Sequence, residues 1–287
     1  MTGPVLVVGA TGNLGGAVAD ALGRGGVPMR LGGTRVGAFE ARPGAEAVRL
    51  DLLDPSTFAP ALDGAGGLFL VRPPAIAKVG PTLNALLDVA ERAHVGHVVF
   101  SSVTGADTNK VVPHHRVEER LQRSSLSWTI LRPGFFAQNL ADAYRIDIVD
   151  DGRILLPAGA GRAAFVDVAD VGDVAARVFA DPDAHRGAGY VLTGPEALGF
   201  DEVAALLTHE LGRTIRYEPT SPLRYLRHVH GQGRPWAQAV VQTVLHTGLR
   251  RGQAETVDPT VERLLGRPGR TLAQYVHEHR DVWEPTP

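Results

Sequence analysis

Residues Val5–Val18 read VLVVGATGNLGGAV. Four apolar residues make a buried strand, a glycine-rich turn follows, and a helical pattern begins. The glycines fall at Gly9, Gly12 and Gly15. In a strand–turn–helix unit, the first glycine permits the tight turn out of the strand. The second lets backbone approach a pyrophosphate, and the third has no side chain to hold helix away from strand. The helix start aims free N–H groups and the positive end of its dipole at an anion. Strand before, helix after and the place near the N-terminus together point to a dinucleotide site. A loop of glycines used only for packing is the plainer alternative.

The rest of the composition narrows the field. At 287 residues the chain can bury a large core, as one big domain or as one domain with a smaller companion. Its formal net charge is −2 and no basic block stands out, so nucleic acid is not an expected partner. No apolar run is long enough to span a bilayer, so no membrane partner is expected either. Strand begins within a few residues of Met1, leaving no room for a signal peptide. The absence of cysteine removes disulfides, thiolate metal sites and thiol catalysis. A cytoplasmic protein acting on a small molecule, as monomer or homodimer, is the expectation.

Short apolar runs at Val5–Val8, Pro28–Leu31, Ala47–Leu50, Gly67–Val71, His97–Phe100 and Trp128–Leu131 alternate with helical patterns. That alternation predicts an α/β fold: a Rossmann-type doubly wound parallel sheet. Ligands bind such sheets at the carboxyl ends of the strands. The loops opening at Gly9, Gly33, Asp51, Arg72, Ser101 and Pro133 are therefore the ones that matter. After Pro133 the rhythm changes. An Asp-rich run over Phe165–Phe179 predicts a helix start, and Phe200–Leu211 is amphipathic. A helical stretch from Pro222 to Gly252 breaks at Gly231–Pro235, and a last helix runs near Leu272–His279. We read residues 1–134 as a dinucleotide-binding domain, with 163–193 and the C-terminal helix packing back on it. Residues 135–287 make a smaller, interleaved α/β cap carrying substrate contacts.

Several runs go further: GATGNLGG, SSVTGAD after the fifth strand, HHRVEERLQRSSLSWTILRPGFFAQNL, FVDVADVGDVAA and YVLTGPEALGFDEVAALL. Together they resemble the NmrA-like branch of the atypical short-chain dehydrogenase/reductase superfamily, from about Val5 to about Val282. The resemblance implies a Rossmann fold and an NAD(P) cofactor. It implies either a reductase of quinones and other conjugated acceptors or a cofactor-binding regulator without turnover. It also places Asp51 at the adenine amino group, where helix capping is the alternative. Candidate cofactor contacts are Gly9, Thr11, Gly12, Asn13, Leu14, Thr34, Arg35, Asp51, Leu52, Val71, Arg72, Ser101, Pro133 and Phe135.

The second strand ends in Gly33–Thr34–Arg35, with no acidic residue until Glu40. An acid there bonds the ribose 2′-OH of NAD, whereas arginine accommodates the 2′-phosphate of NADP. Arg35 offers a fork of donors and Thr34 a hydroxyl, so NADP(H) is the expected cofactor.

The superfamily's usual Tyr-x-x-x-Lys pair is absent: Pro74 stands four residues before Lys78 and Ala106 four before Lys110. The helix where that pair would lie begins instead with His114–His115. The family register puts its histidine on His114, with Glu118 one turn later on the same face. His114 or His115 is the candidate general acid, or a hydrogen-bond partner of substrate or ribose. With so little acid equipment, the expected acceptor is a quinone, enone or imine-like group that spreads its own developing charge. The expected activity is an NADPH-dependent reductase; the alternatives are an NADP(H)-sensing regulator or a cofactor-retaining isomerase or cyclase. Phe136, Asn139, Tyr225 and Trp236 are candidate substrate contacts, with core packing the competing role for each aromatic. The His228/His230 and His277/His279 pairs have the wrong helical spacing for shared ligation, so no metal is expected.

Overall fold

The computed structural model describes residues 2–39, 42 and 44–284; Glu40 lies outside them. Among the described residues there are twelve strands: β1 (Val5–Val8), β2 (Met29–Gly33), β3 (Ala45–Arg49), β4 (Gly67–Val71), β5 (His97–Ser101), β6 (Trp128–Pro133), β7 (Phe135–Phe136), β8 (Arg153–Leu156), β9 (Arg162–Val166), β10 (Ala188–Leu192), β11 (Ala197–Gly199) and β12 (Arg216–Pro219). The chain divides into two compact units. The first comprises 1–133, 168–192 and 260–268; the second comprises 134–167, 193–259 and 269–287.

The first unit holds a seven-stranded sheet in the order β10-β6-β5-β4-β1-β2-β3. Every pairing in it is parallel. The central strands are apolar on both faces because helices cover both: β1 and β5 are buried throughout, and β4 is buried up to Val71. The strand order reverses between β1 and β4, which opens a crevice at their carboxyl ends. On one face, Phe58, Leu62, Leu86, Leu87, Val117 and Leu121 pack against Leu6, Leu68, Val98, Phe100 and Ile130. On the other, helices Asn13–Arg24 and Val168–Ala180 lie close enough that a methyl on Gly172 would come within 2.6 Å of the Ala17 carbonyl.

The second unit is built on β11-β9-β7 and on the parallel pair β12-β8. Its core gathers Phe165, Phe200, Leu207, Tyr225, Leu249 and Trp283. The helix start expected within Phe165–Phe179 falls at Val168, after Phe165 and Val166 have ended β9. One expectation is corrected here. The last helix, Leu272–Glu278, sinks Leu272, Tyr275 and Val276 into the core of the second unit. The segment near the end that belongs to the first unit is the short helix Thr260–Leu265.

Candidate active site

The turn after β1 carries out two of the three roles read from its glycines within the protein itself. Gly9 has φ +72°, a conformation that L side chains rarely adopt, and a methyl there would also press on Val71 at 2.9 Å. A methyl on Gly15 would overlap the Gly9 carbonyl, so helix and turn touch only because that position is bare. Gly12 differs: its Cβ would meet nothing closer than the Gly9 oxygen at 3.5 Å. No protein group demands glycine there. It is the N-cap of the helix Asn13–Arg24, has no side chain to cap with, and is exposed together with Thr11 and Asn13. A bare helix start facing open space at the switch point is what a pyrophosphate needs. The residues present therefore fit a dinucleotide.

Around this turn the carboxyl ends of β2, β3 and β4 bring further residues. Thr34 and Arg35 are exposed just past β2. Asp51 accepts from the Leu53 N–H at 2.9 Å, and Thr57 holds its backbone at 3.0 Å. Capping of the next short helix falls to Asp54, not Asp51. Leu52 is buried and Val71 half-buried against Gly9. Arg72 is turned back on its own loop, donating to the carbonyls of Ile76 at 2.6 Å and Pro73 at 3.2 Å.

Arg72 also reaches the helix Pro113–Gln122, donating from Nε to His114 Nε2 at 3.3 Å. Arginine has no acceptor, so this bond fixes the His114 proton on Nδ1. That Nδ1 is buried and has no partner among the described residues. Burial first, then the Arg72 charge, push the His114 pKa down to about 4. The imidazole is neutral near pH 7, and an acid carrying a spare proton is not available there. His115 has a different task. Its Nδ1 donates to the Ala106 carbonyl at 2.8 Å and pins the loop before the helix.

One turn on, Glu118 is almost wholly buried at 1% exposure. It accepts from Ser102 Oγ at 2.5 Å and from Arg132 Nη2 at 2.6 Å and Nε at 3.1 Å. Arg132 is the penultimate residue of β6 and Ser102 follows β5, so this triad laces two strand ends to the helix. The bond to Glu118 raises the Arg132 pKa. Ser101 is buried beside it, and Pro133 is buried at the end of β6. The triad was missed from sequence. Its signal was the WTILRP run, where an arginine interrupts an otherwise buried strand and needs an anion.

In the second unit, Phe135 is half-buried in an aromatic cluster, its ring 5.3 Å from Phe165, 6.3 Å from Phe200 and 6.0 Å from His246. Phe136 and Asn139 are half-buried. Tyr225 has to be corrected: it is 2% exposed, and its hydroxyl accepts from Gln242 at 3.0 Å. It is a core residue with its polar end satisfied, not an open contact. Trp236 is 52% exposed and stacks on His230 at 3.8 Å. His228 bonds Asp147 at 2.8 Å, and His277 bonds Glu210 at 3.0 Å. In the Asp-rich run, Asp170 and Asp173 both accept from Arg267, at 2.8 and 2.6 Å.

Known proteins share this architecture. A protein of Bacillus subtilis (strain 168), named as the uncharacterized oxidoreductase YesF, is 29% identical over 98% of this chain and 96% of its own. The NAD(P)H azoreductase of Xenophilus azovorans is 32% identical over 96% of this chain and 97% of its own. The NADPH-dependent quinone oxidoreductase QOR2 of Escherichia coli, solved with NADPH, superposes with a TM-score of 0.84 at 26% identity, covering 96% of this chain and 99% of that one. The family model described as the NmrA-like family matches residues 1–265. The chain belongs to the NmrA-like family.

Proposed function

We propose that this protein is an NADPH-dependent reductase of conjugated small-molecule acceptors of the quinone, enone or imine-like class. The observation that carries the reading is Gly12. It is an exposed helix N-cap where the protein leaves room that a side chain would take. The azoreductase and quinone oxidoreductase relatives support the activity. Bound NADPH supplies hydride. The Gly9–Leu14 turn and the following helix start hold the pyrophosphate. Thr34 and Arg35 receive the 2′-phosphate through charge-assisted bonds. Asp51 and Leu52 border the adenine, while Val71, Arg72, Ser101 and Pro133 complete the contacts.

The acid–base equipment selects the acceptor. No Tyr-x-x-x-Lys pair exists, and His114 is neutral, so neither supplies a strong proton donor to a forming alkoxide. The neutral Nδ1–H offers a hydrogen bond and no charge. An acceptor that delocalises the incoming electron pair needs orientation more than protonation, and water can deliver its proton later. The test is to incubate the protein with NADPH and a panel of quinones, enones and simple ketones, following loss of reduced-nicotinamide absorbance. Turnover of the conjugated members alone is the expected result. Tight NADPH binding with no turnover of any member would move the protein to the regulator reading.

A further inference from the structure

The helix Trp236–Gly248 is inside out. At 100° per residue, Trp236, Val240, Val241, Val244 and Leu245 share one arc with Ala237; the polar residues on it are Gln238 at its edge and half-buried Thr247, whose hydroxyl donates to the Thr243 carbonyl at 2.7 Å. That arc faces solvent: Trp236 is 52% exposed, Val240 47%, Val241 59%, Val244 65% and Leu245 64%. The opposite arc turns Thr243 and His246 inward. These inward groups are satisfied: Thr243 donates to the Ala239 carbonyl at 2.7 Å, and His246 bonds the Gln242 carbonyl at 2.6 Å and the Tyr144 hydroxyl. The preceding helix, Pro222–Gly231, adds Leu223 at 56% exposure. A surface helix normally turns its apolar stripe inward. Here the outward stripe amounts to a patch on the order of 500 Å², of the size that marks an interaction surface.

The charge around the patch says what covers it. From Thr220 to Ala254 there is no aspartate or glutamate, but there are five arginines: Arg224, Arg227, Arg234, Arg250 and Arg251. Arg224 pairs with Glu218, and Arg250 is bound to the carbonyls of Pro157 and Thr220. Arg227, Arg234 and Arg251 carry no ion pair among the described residues. A second copy of the chain would bring two such cationic segments together. It would also bury less than the roughly 800 Å² per partner of a standard interface. Anionic lipid does the opposite, neutralising the arginines while taking up the tryptophan and the aliphatic side chains. No described helix is long and apolar enough to cross a membrane, so such contact is from one side.

We propose that this face docks on an anionic bilayer surface. The proposal is independent of the reductase reading. Sedimentation with vesicles tests it, using phosphatidylcholine alone and phosphatidylcholine with about a third phosphatidylglycerol. The expected result is binding to the anionic vesicles at low salt, at least tenfold weaker on neutral vesicles and weakened again by salt. Tryptophan emission should shift to the blue on binding, and Trp236→Phe should remove the shift, since Trp283 is fully buried and Trp128 packs against the core of the first unit. The double variant Val244→Glu/Leu245→Glu should lose at least tenfold in lipid binding while circular dichroism and turnover of a water-soluble acceptor stay unchanged. Each of Arg227→Ala, Arg234→Ala and Arg251→Ala should cost about fivefold. Absence of binding to anionic vesicles at low salt overturns the proposal, and so does equal binding to both vesicle types. A lipid-free dimer broken by the double variant would assign the face to a second copy and overturns it too.

Discussion

Two helices start at the carboxyl edge of the seven-stranded sheet, and their beginnings are opposites. The helix Asn13–Arg24 opens on bare, exposed Gly12, where an added Cβ would meet nothing closer than the Gly9 oxygen at 3.5 Å. The helix Pro113–Gln122 opens on buried His114, which is held by Arg72, and one turn later Glu118 is clasped by Ser102 and Arg132. One start is left open for a ligand; the other is closed by the protein's own side chains. Glycine marks the first because space is what it contributes. The second depends on partners brought from β4, β5 and β6, which are distant in sequence.

The largest expected effects separate two glycines three residues apart. Gly12→Val should leave the fold intact, since its Cβ has room, and should remove cofactor binding by filling the phosphate's place. Gly15→Ala should do the reverse damage. Its methyl overlaps the Gly9 carbonyl, and overpacking against backbone costs about 3 kcal/mol or more. Thermal unfolding and an NADPH titration on each variant check the pair. A Gly12→Val protein that binds normally would place the phosphate site elsewhere.

At the closed start, Glu118→Ala should destabilise by about 3 kcal/mol, because it leaves the mostly buried Arg132 charge with only Asp107, at 4.0 Å. Denaturant unfolding reads the loss directly. Replacing Glu118 and Arg132 together by apolar residues should recover part of it. A loss below about 1 kcal/mol for the single variant would mean the triad is not the tie it looks to be.

The same contrast appears with pH. His97, His114 and His246 are buried, and burial is the first cause pushing each pKa down to about 4 from an ordinary value of 6.5. The folded pKa lies below the unfolded one, so the unfolded chain takes up the extra protons. Stability is therefore full above about pH 6.5 and falls as pH drops towards 4, by about 3 kcal/mol per histidine at most. Unfolding midpoints measured between pH 7 and pH 4 should decline, and His114→Asn should flatten part of the slope.

Sequence reading recovered the first unit well for a physical reason. A parallel sheet covered on both faces needs apolar strands, and the glycine turn needs particular residues at fixed spacing, so Val5–Val18 carries its structure locally. The second unit was read less well. Its strands β8, β9 and β11 are short and give little periodicity to read. The helix Trp236–Gly248 lies in the helical stretch expected over 222–252, where the local pattern does not say which face is buried. Only the structure shows Thr243 and His246 on the buried side. Tyr225 and Glu118 teach the same lesson, since their partners Gln242 and Arg132 are invisible to local pattern.

Arg35 sharpens the open side of the comparison. It is exposed, and among the described residues it has no ion pair, so its removal should cost the fold little. Arg35→Ala should weaken NADPH by about ten- to a hundredfold, the worth of a charge-assisted phosphate bond, and leave NADH almost unchanged. Calorimetric titration of both cofactors decides it. Equal affinities for the two cofactors in the unaltered protein would remove the preference.

The smallest effect is expected where sequence alone suggested a catalytic acid. If His114 donated a full proton in the hydride step, the single-turnover rate would fall as pH rose through its pKa, and His114→Ala would cost up to about ten-thousandfold. The structure points to a neutral ring at pH 7, with Nε2 already accepting from Arg72. The rate should then be flat between about pH 6 and pH 8, because the ring's protonation does not change across that range. His114→Ala should slow hydride transfer by about tenfold or less, as loss of one neutral hydrogen bond would. His115→Ala should act on stability alone, by freeing the loop at Ala106. Stopped-flow oxidation of NADPH by a conjugated acceptor, run across pH in all three proteins, reads every one of these outcomes. A rate that follows an ionisation near pH 6.5 and disappears with His114 would show that substrate raises the histidine's pKa. The closed helix start would then open when the acceptor arrives, and simple ketones would enter the substrate range.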